Sequence, residues 1–145
     1  MAIIRNTELK IIMHKKGNIR KIIDINDECF KGFGEAYTSD INFLSIKGWK
    51  LHKNKTSNFV VVHGSVKFVA WEPKRPNLFN IYIVGIQPDN SLNYNRITIG
   101  PNVWFGFKGL CKPVSRVLNI SNILNSDTIT ENMDLDAVNY DWGDQ

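Results

Sequence analysis

Phe43 to Trp71 reads FLSIKGWKLHKNKTSNFVVVHGSVKFVAW, and this stretch decides the fold. Ser45 to Leu51 is a strand that runs into a single imidazole, His52. A polar, cationic run, Lys53-Asn54-Lys55-Thr56-Ser57-Asn58, follows as a loop. Phe59-Val60-Val61-Val62 is aromatic and β-branched, His63-Gly64 supplies a turn, and Val66 to Trp71 is a further strand. Alternation along the first strand places Lys47 with Trp49 and Leu51 on one face, and Lys50 with His52 on the other. A histidine at a strand end beside a basic loop is suited to an anionic small molecule, which makes it the candidate site.

Upstream, Ile3 to Met13 and Ile19 to Ile25 read as strands around the turn His14-Lys15-Lys16-Gly17-Asn18. Residues 24–34 read as irregular. Gly34 to Ser39 is a strand, and Ser39-Asp40-Ile41-Asn42 is a turn into the central stretch. Downstream, two prolines mark a loop over residues 72–77. Leu78 to Ile86 alternates as a strand, Pro88-Asp89-Asn90-Ser91 turns, and Tyr94 to Ile99 is a strand stopped by Gly100-Pro101-Asn102. Val103 to Phe107 and Ser115 to Ile120 are the last two strands. Asn125 to Asn132 is suited to one helical turn. The tail from Asp127 carries six acids and no Lys or Arg, and its closing Tyr140 and Trp142 predict that it packs on the body. Nine or ten short strands with little helical periodicity predict an all-β sandwich, jelly roll or barrel.

The 145 residues read as one domain, 1–145, long enough to bury a core without a staple. No apolar run approaches the ~20 residues of a membrane helix, and the N-terminus lacks the pattern of a secretory signal. The expectation is therefore a cytoplasmic protein with no membrane contact. Cys29 and Cys111 lie far apart and are expected as free thiols. Net charge is +4, divided as +7 over residues 1–75 and −3 over residues 76–145. The lysines are scattered among strands rather than clustered, so the positive field is assigned to an anionic small molecule and not to nucleic acid.

Four blocks carry a resemblance: GFGEAYTSDIN (Gly32–Asn42), IKGWKLHKNKTSNFVVVHGSVKFVAW (Ile46–Trp71), ITIGPNVWFGFKGL (Ile97–Leu110) and VNYDW (Val138–Trp142). In order and spacing they resemble the short members of the dTDP-4-dehydrorhamnose 3,5-epimerase family of cupins. The resemblance implies a double-stranded β-helix jelly roll and a homodimer that exchanges N-terminal strands. It further implies a nucleotide-sugar site inside the barrel and a role in cell-surface polysaccharide biosynthesis. The implied chemistry removes a proton beside the ketone of a 4-keto-6-deoxy sugar, on a dTDP carrier, and returns one from the other face. That needs a base near neutral pKa, an oxyanion stabiliser and an acid.

His52 falls at the family's base, and an imidazole is also the residue type that titrates nearest neutrality. Glu35 matches a glutamate that contacts the nucleotide, and Tyr37, two residues on and on the same face, is the candidate acid. Lys50 is a candidate for phosphate or enolate, Asn58 for a sugar hydroxyl, and Trp104 with Phe105 for a stacking wall. The family's enolate lysine falls in the shortened loop holding Lys53 and Lys55. Its tyrosine would fall near Leu118-Asn119-Ile120, where there is none. Trp49 stands in place of an arginine before the base and is taken as a substrate contact, and Phe105 stands in place of a histidine. Metal-binding cupins use two histidines one residue apart, a glutamate and a third histidine. Lys50 occupies the first of these positions, so no metal and no cofactor are expected. The alternative is a cupin that binds a sugar nucleotide or carbohydrate without turning it over.

Overall fold

The computed structural model describes residues 3–86 and 91–143. The predicted turn at 88–90 lies outside them. Two antiparallel sheets face each other, as the all-β jelly-roll expectation requires. The first has strand order β1 (Ile4–Glu8), β10 (Asn95–Ile99), β6 (Ser57–His63), β12 (Val114–Ser121) and β4 (Glu35–Asn42). The second has the order β13 (Thr130–Asn132), β5 (Ile46–His52), β11 (Trp104–Gly109), β7 (Ser65–Trp71), β8 (Asn80–Ile86) and β9 (Leu92–Asn93). A small hairpin, β2 (Ile11–Ile12) with β3 (Ile19–Arg20), stands apart.

Inward-facing residues of the two sheets form the main core. Phe59 and Val61 of β6, Ile97 and Ile99 of β10 and Val117 of β12 meet Val66 and Phe68 of β7 and Phe105 and Phe107 of β11. Alternation exports their neighbours. Asn58, Arg96 and Thr98 point out of the first sheet, yet each is at most 4% exposed, because residues 22–29 cover them. Arg96 donates to Ile22 O (2.7 Å) and Asp27 Oδ2 (2.8 Å), and Asn58 donates to Cys29 O (3.1 Å).

The outer face of the second sheet is covered by the C-terminal tail. Trp49, Leu51, Val69 and Trp104 pack with Val138 and Trp142 in a second apolar cluster. Gly106 makes room for this. A Cβ there would stand 3.1 Å from the Trp142 ring, so a side chain would displace the indole. Lys108 Nζ donates to Gly143 O at 2.6 Å, and Lys67 Nζ lies 5.1 Å from the Tyr140 ring centroid. The tail therefore docks, as its aromatics predicted.

Three local expectations change. The segment Ile3 to Met13 is broken, because β1 pairs with β10 while β2 pairs with β3. The predicted turn at 39–42 is strand, since β4 pairs with β12 along its whole length, Glu35↔Ser121 to Asn42↔Val114. Eight ladder positions outweigh the local turn preference of Ser-Asp-Ile-Asn. The turn comes after Phe43, with Leu44 at φ 64°. The helical turn expected over 125–132 is a 3-10 turn at Asn125–Asp127 followed by strand β13.

Candidate active site

A cavity of about 470 Å³ opens between the two sheets. Tyr37 and Ser39 of β4, Phe59 of β6 and Val117 and Asn119 of β12 line it from the first sheet. Lys47, Lys50 and His52 of β5, with Phe105 and Phe107 of β11, line it from the second. Asn125, Thr130 and Asn132 of the C-terminal segment complete the wall. No Asp or Glu is among these described lining residues.

Lys47, Lys50 and His52 of β5 share one face because the strand is bulged. Between Phe105↔Lys50 and Phe107↔Lys47 the partner strand advances two residues while β5 advances three. An extra residue in one strand reverses the side-chain alternation beyond it. Gly48 and Gly106 permit the close approach there, since a Cβ at Gly48 would meet Gly106 Cα at 2.9 Å. Lys47 therefore joins Lys50 and His52 in the cavity, correcting the simple alternation that placed it with Trp49 and Leu51.

His52 stands at the mouth of this positive wall. Its Nδ1 is hydrogen-bonded to Thr130 Oγ1 at 2.8 Å, across the register pair Thr130↔His52 of β13 and β5. Its ring lies 5.5 Å from that of Phe105. Burial, then the charges of Lys55 and Lys50, push its pKa from 6.5 down to about 4. The imidazole is therefore neutral at pH 7, with one of its two ring nitrogens bare.

Tyr37 faces His52 from the opposite sheet. Asn119 Nδ2 donates to the Tyr37 hydroxyl at 3.1 Å, and the two residues are register partners. Tyr37 thus stands on the strand adjacent to β12, beside the position where the resemblance implies a tyrosine. Lys55 is 1% exposed; its Nζ is 5.7 Å from the Tyr37 ring centroid and donates to Asn125 Oδ1 at 3.4 Å. It forms no ion pair among the described residues. Lys53 turns the other way and pairs with Glu131 at 3.2 Å. It lines an outer groove of about 580 Å³, whose Glu72 and Glu131 offset Lys53 and Lys74. That groove lacks the single-sign field of the inner cavity.

Of the residues predicted from sequence, His52, Tyr37, Lys50 and Phe105 meet at the cavity. Glu35 lies behind its wall, where Oε1 accepts from the backbone N–H of Asn125 (2.9 Å) and so holds that residue. Trp49 and Trp104 do not reach the cavity. Trp49 is fully buried in the second cluster, and Trp104 stacks on Trp71 at 6.3 Å on that same outer face. Asn58 also points outward, with both ends of its amide engaged, one by Cys29 O and the other by the Thr98 hydroxyl at 2.6 Å. The period of two puts all three on the wrong face for a ligand in the barrel. Sequence reasoning missed Thr130, Asn132, Asn125 and Asn119, which carry no motif. Only the docked tail and the β4–β12 register bring them in. The described residues contain no group of three or more His, Cys, Asp or Glu placed to share a metal ion.

No protein-family model matches the sequence, and a search of curated proteins finds no significant match. Solved structures do match. A dTDP sugar isomerase from Desulfovibrio desulfuricans superposes with a TM-score of 0.77 at 25% identity, covering 96% of this chain and 90% of that one. A sugar 3,4-ketoisomerase from Thermoanaerobacterium thermosaccharolyticum, solved with TDP, gives 0.68 at 20% identity over 87% and 86%. An epimerase from Mycobacterium tuberculosis gives 0.75 at 14% identity over 94% and 72%. The resemblance read from the four sequence blocks thus extends to the whole fold.

Proposed function

We propose that this chain, built on the jelly roll shared by those sugar isomerases and epimerases, is a metal-independent isomerase acting on a nucleotide-linked 4-keto-6-deoxy sugar. The observation that carries the reading is one cavity in which a neutral histidine and a tyrosine face each other from opposite sheets, inside a lysine-rich wall that lacks carboxylates. The likeness to the dTDP sugar isomerase supports a dTDP-linked substrate.

In this reading His52 removes the proton beside the ketone. The developing negative charge on the carbonyl oxygen is stabilised by the buried, unpaired ammonium of Lys55, whose field is little screened there. Tyr37 supplies a proton from the opposite wall, which inversion at that carbon requires. Lys47 and Lys50 hold the diphosphate, and Phe59, Phe105 and Phe107 exclude water from the reacting carbons. Bound phosphate charge also offsets the lysine field on His52 and raises its basicity during turnover. A homodimer and a cytoplasmic place in cell-surface polysaccharide biosynthesis belong to the same proposal. Ile81 and Ile83 of β8, alternate residues each at least 40% exposed, give a second copy an apolar face to cover.

A second reading, a cupin that binds the sugar nucleotide without turnover, is favoured by the weak basicity of His52 in the free protein. Proton NMR of dTDP-4-keto-6-deoxyglucose in deuterium oxide separates the two. Exchange of a ring proton with the native protein, absent with His52→Ala, is the expected result, and the product's spectrum tells epimerisation from ketoisomerisation. Line broadening without exchange would overturn the enzyme reading in favour of the binding one.

A further inference from the structure

The C-terminal segment supplies more than cover for the second sheet. Residues 127–129 are held by one side chain of the basic loop. Asn54 Nδ2 donates to Asp127 O (3.0 Å), and Asn54 Oδ1 accepts from Ile129 N–H (2.9 Å). Backbone bonds then continue the registration, from Lys53 N–H to Ile129 O (2.8 Å) and in both directions between Trp49 and Met133 (3.1 and 3.0 Å). Thr130 is fixed between these clamps, opposite His52. Among the described residues its hydroxyl makes one side-chain hydrogen bond, the 2.8 Å contact to His52 Nδ1.

We infer that Thr130 is a positioning residue that selects the tautomer of His52, by accepting the Nδ1 proton and leaving Nε2 as the basic nitrogen turned to the cavity. This rests on His52 being the functional base proposed above. The direction of the bond follows from the charges around it. A neutral imidazole has a dipole with its negative end at the bare nitrogen. Lys47 and Lys50 line the cavity beside it, and Lys55 is buried nearby. The bare nitrogen is stabilised toward those ammonium groups and the N–H away from them, toward Thr130. A hydroxyl suits this role because it accepts the proton without adding a charge. Besides the lysines, the other titratable group among the described lining residues, Tyr37, is on the far sheet and accepts a hydrogen bond from Asn119 Nδ2.

Long-range proton–nitrogen correlation spectra of the protein labelled with ¹⁵N-histidine, at pH 7 and without substrate, read the tautomer directly. The native protein should show His52 with Nδ1 protonated and Nε2 bare. Thr130→Val, which keeps the shape and removes the acceptor, should shift the population toward Nε2–H, and Thr130→Ser should restore the native pattern. With the ketosugar, Thr130→Val should lower kcat roughly 10- to 100-fold, by analogy with groups that orient metal-bound histidines, with KM little changed. An Nε2–H spectrum in the native protein would overturn the inference whether or not the variant folds. So would a native-like tautomer in folded Thr130→Val. Native spectra as expected, without proton exchange into the sugar, would sink the enzyme reading while leaving the positioning of His52 intact.

Discussion

Acidifying the protein should cost it stability through His52 in particular. Folding carries this imidazole from an ordinary pKa of 6.5 to about 4, through burial first and then the charges of Lys55 and Lys50. Between those two values the unfolded chain binds a proton that the folded chain refuses. Stability from this group is therefore complete above pH 6.5, falls as the pH drops through that window, and is gone below about 4. At about 1.36 kcal/mol per pKa unit the whole interval corresponds to about 3.4 kcal/mol. The ring is partly open at the cavity mouth, where solvent screens the lysine field, so about 1–2 kcal/mol is expected. Urea unfolding followed by tryptophan fluorescence at pH 7 and pH 4.5 would measure it, comparing the native protein with His52→Gln, which cannot titrate. The native protein should lose about 1–2 kcal/mol more than the variant over that interval. Equal losses, or an NMR titration of the His52 ring at its ordinary pKa, would refute the burial and lysine field proposed for this wall. Lys50→Gln removes one of the two cations and should move the titration back upward.

Three further outcomes are expected. Because free enzyme governs kcat/KM and the substrate complex governs kcat, the acid limb of kcat should lie at higher pH than that of kcat/KM; coincident limbs would show that bound phosphate does not offset the lysines on His52. Trp142→Ala empties the indole site between Trp49, Tyr140 and Gly106, and should lower urea stability by about 2–4 kcal/mol, below the full cost of a core tryptophan because the indole N–H is buried without a partner among the described residues; a loss under about 0.5 kcal/mol, the range of ordinary surface substitutions, would mean that the tail is not docked. Arg96→Met breaks the tie between the first sheet and residues 22–27, and should destabilise by about 2–3 kcal/mol at pH 7, since Asp27 is one-quarter exposed. Part of that loss should disappear under acid conditions. Burial would raise the Asp27 pKa, but the Cys29 N–H and the Arg96 guanidinium outweigh it and hold it below 3.8, so the ion pair weakens as pH falls through that lowered value.

The sequence by itself carried the fold class, because strand alternation and Gly, Pro and Asn punctuation are local signals. His52, Lys50, Tyr37 and Phe105 were legible for the same reason: each has a chemistry or a strand position that marks it. Whether a strand residue faces a ligand is not local. Trp49, Trp104 and Asn58 have suitable side chains on the wrong side of their sheets, and the sides are set by register and by which layer covers which face. One extra residue at Gly48 in β5, visible only against its partner β11, moved Lys47 into the cavity. Thr130 and Asn119 are ordinary residues in sequence. They line the cavity because β13 pairs beside β5, 78 positions from His52, and β12 pairs beside β4, 82 positions from Tyr37. Local propensity determines that strands form. Long-range pairing decides which of their side chains meet.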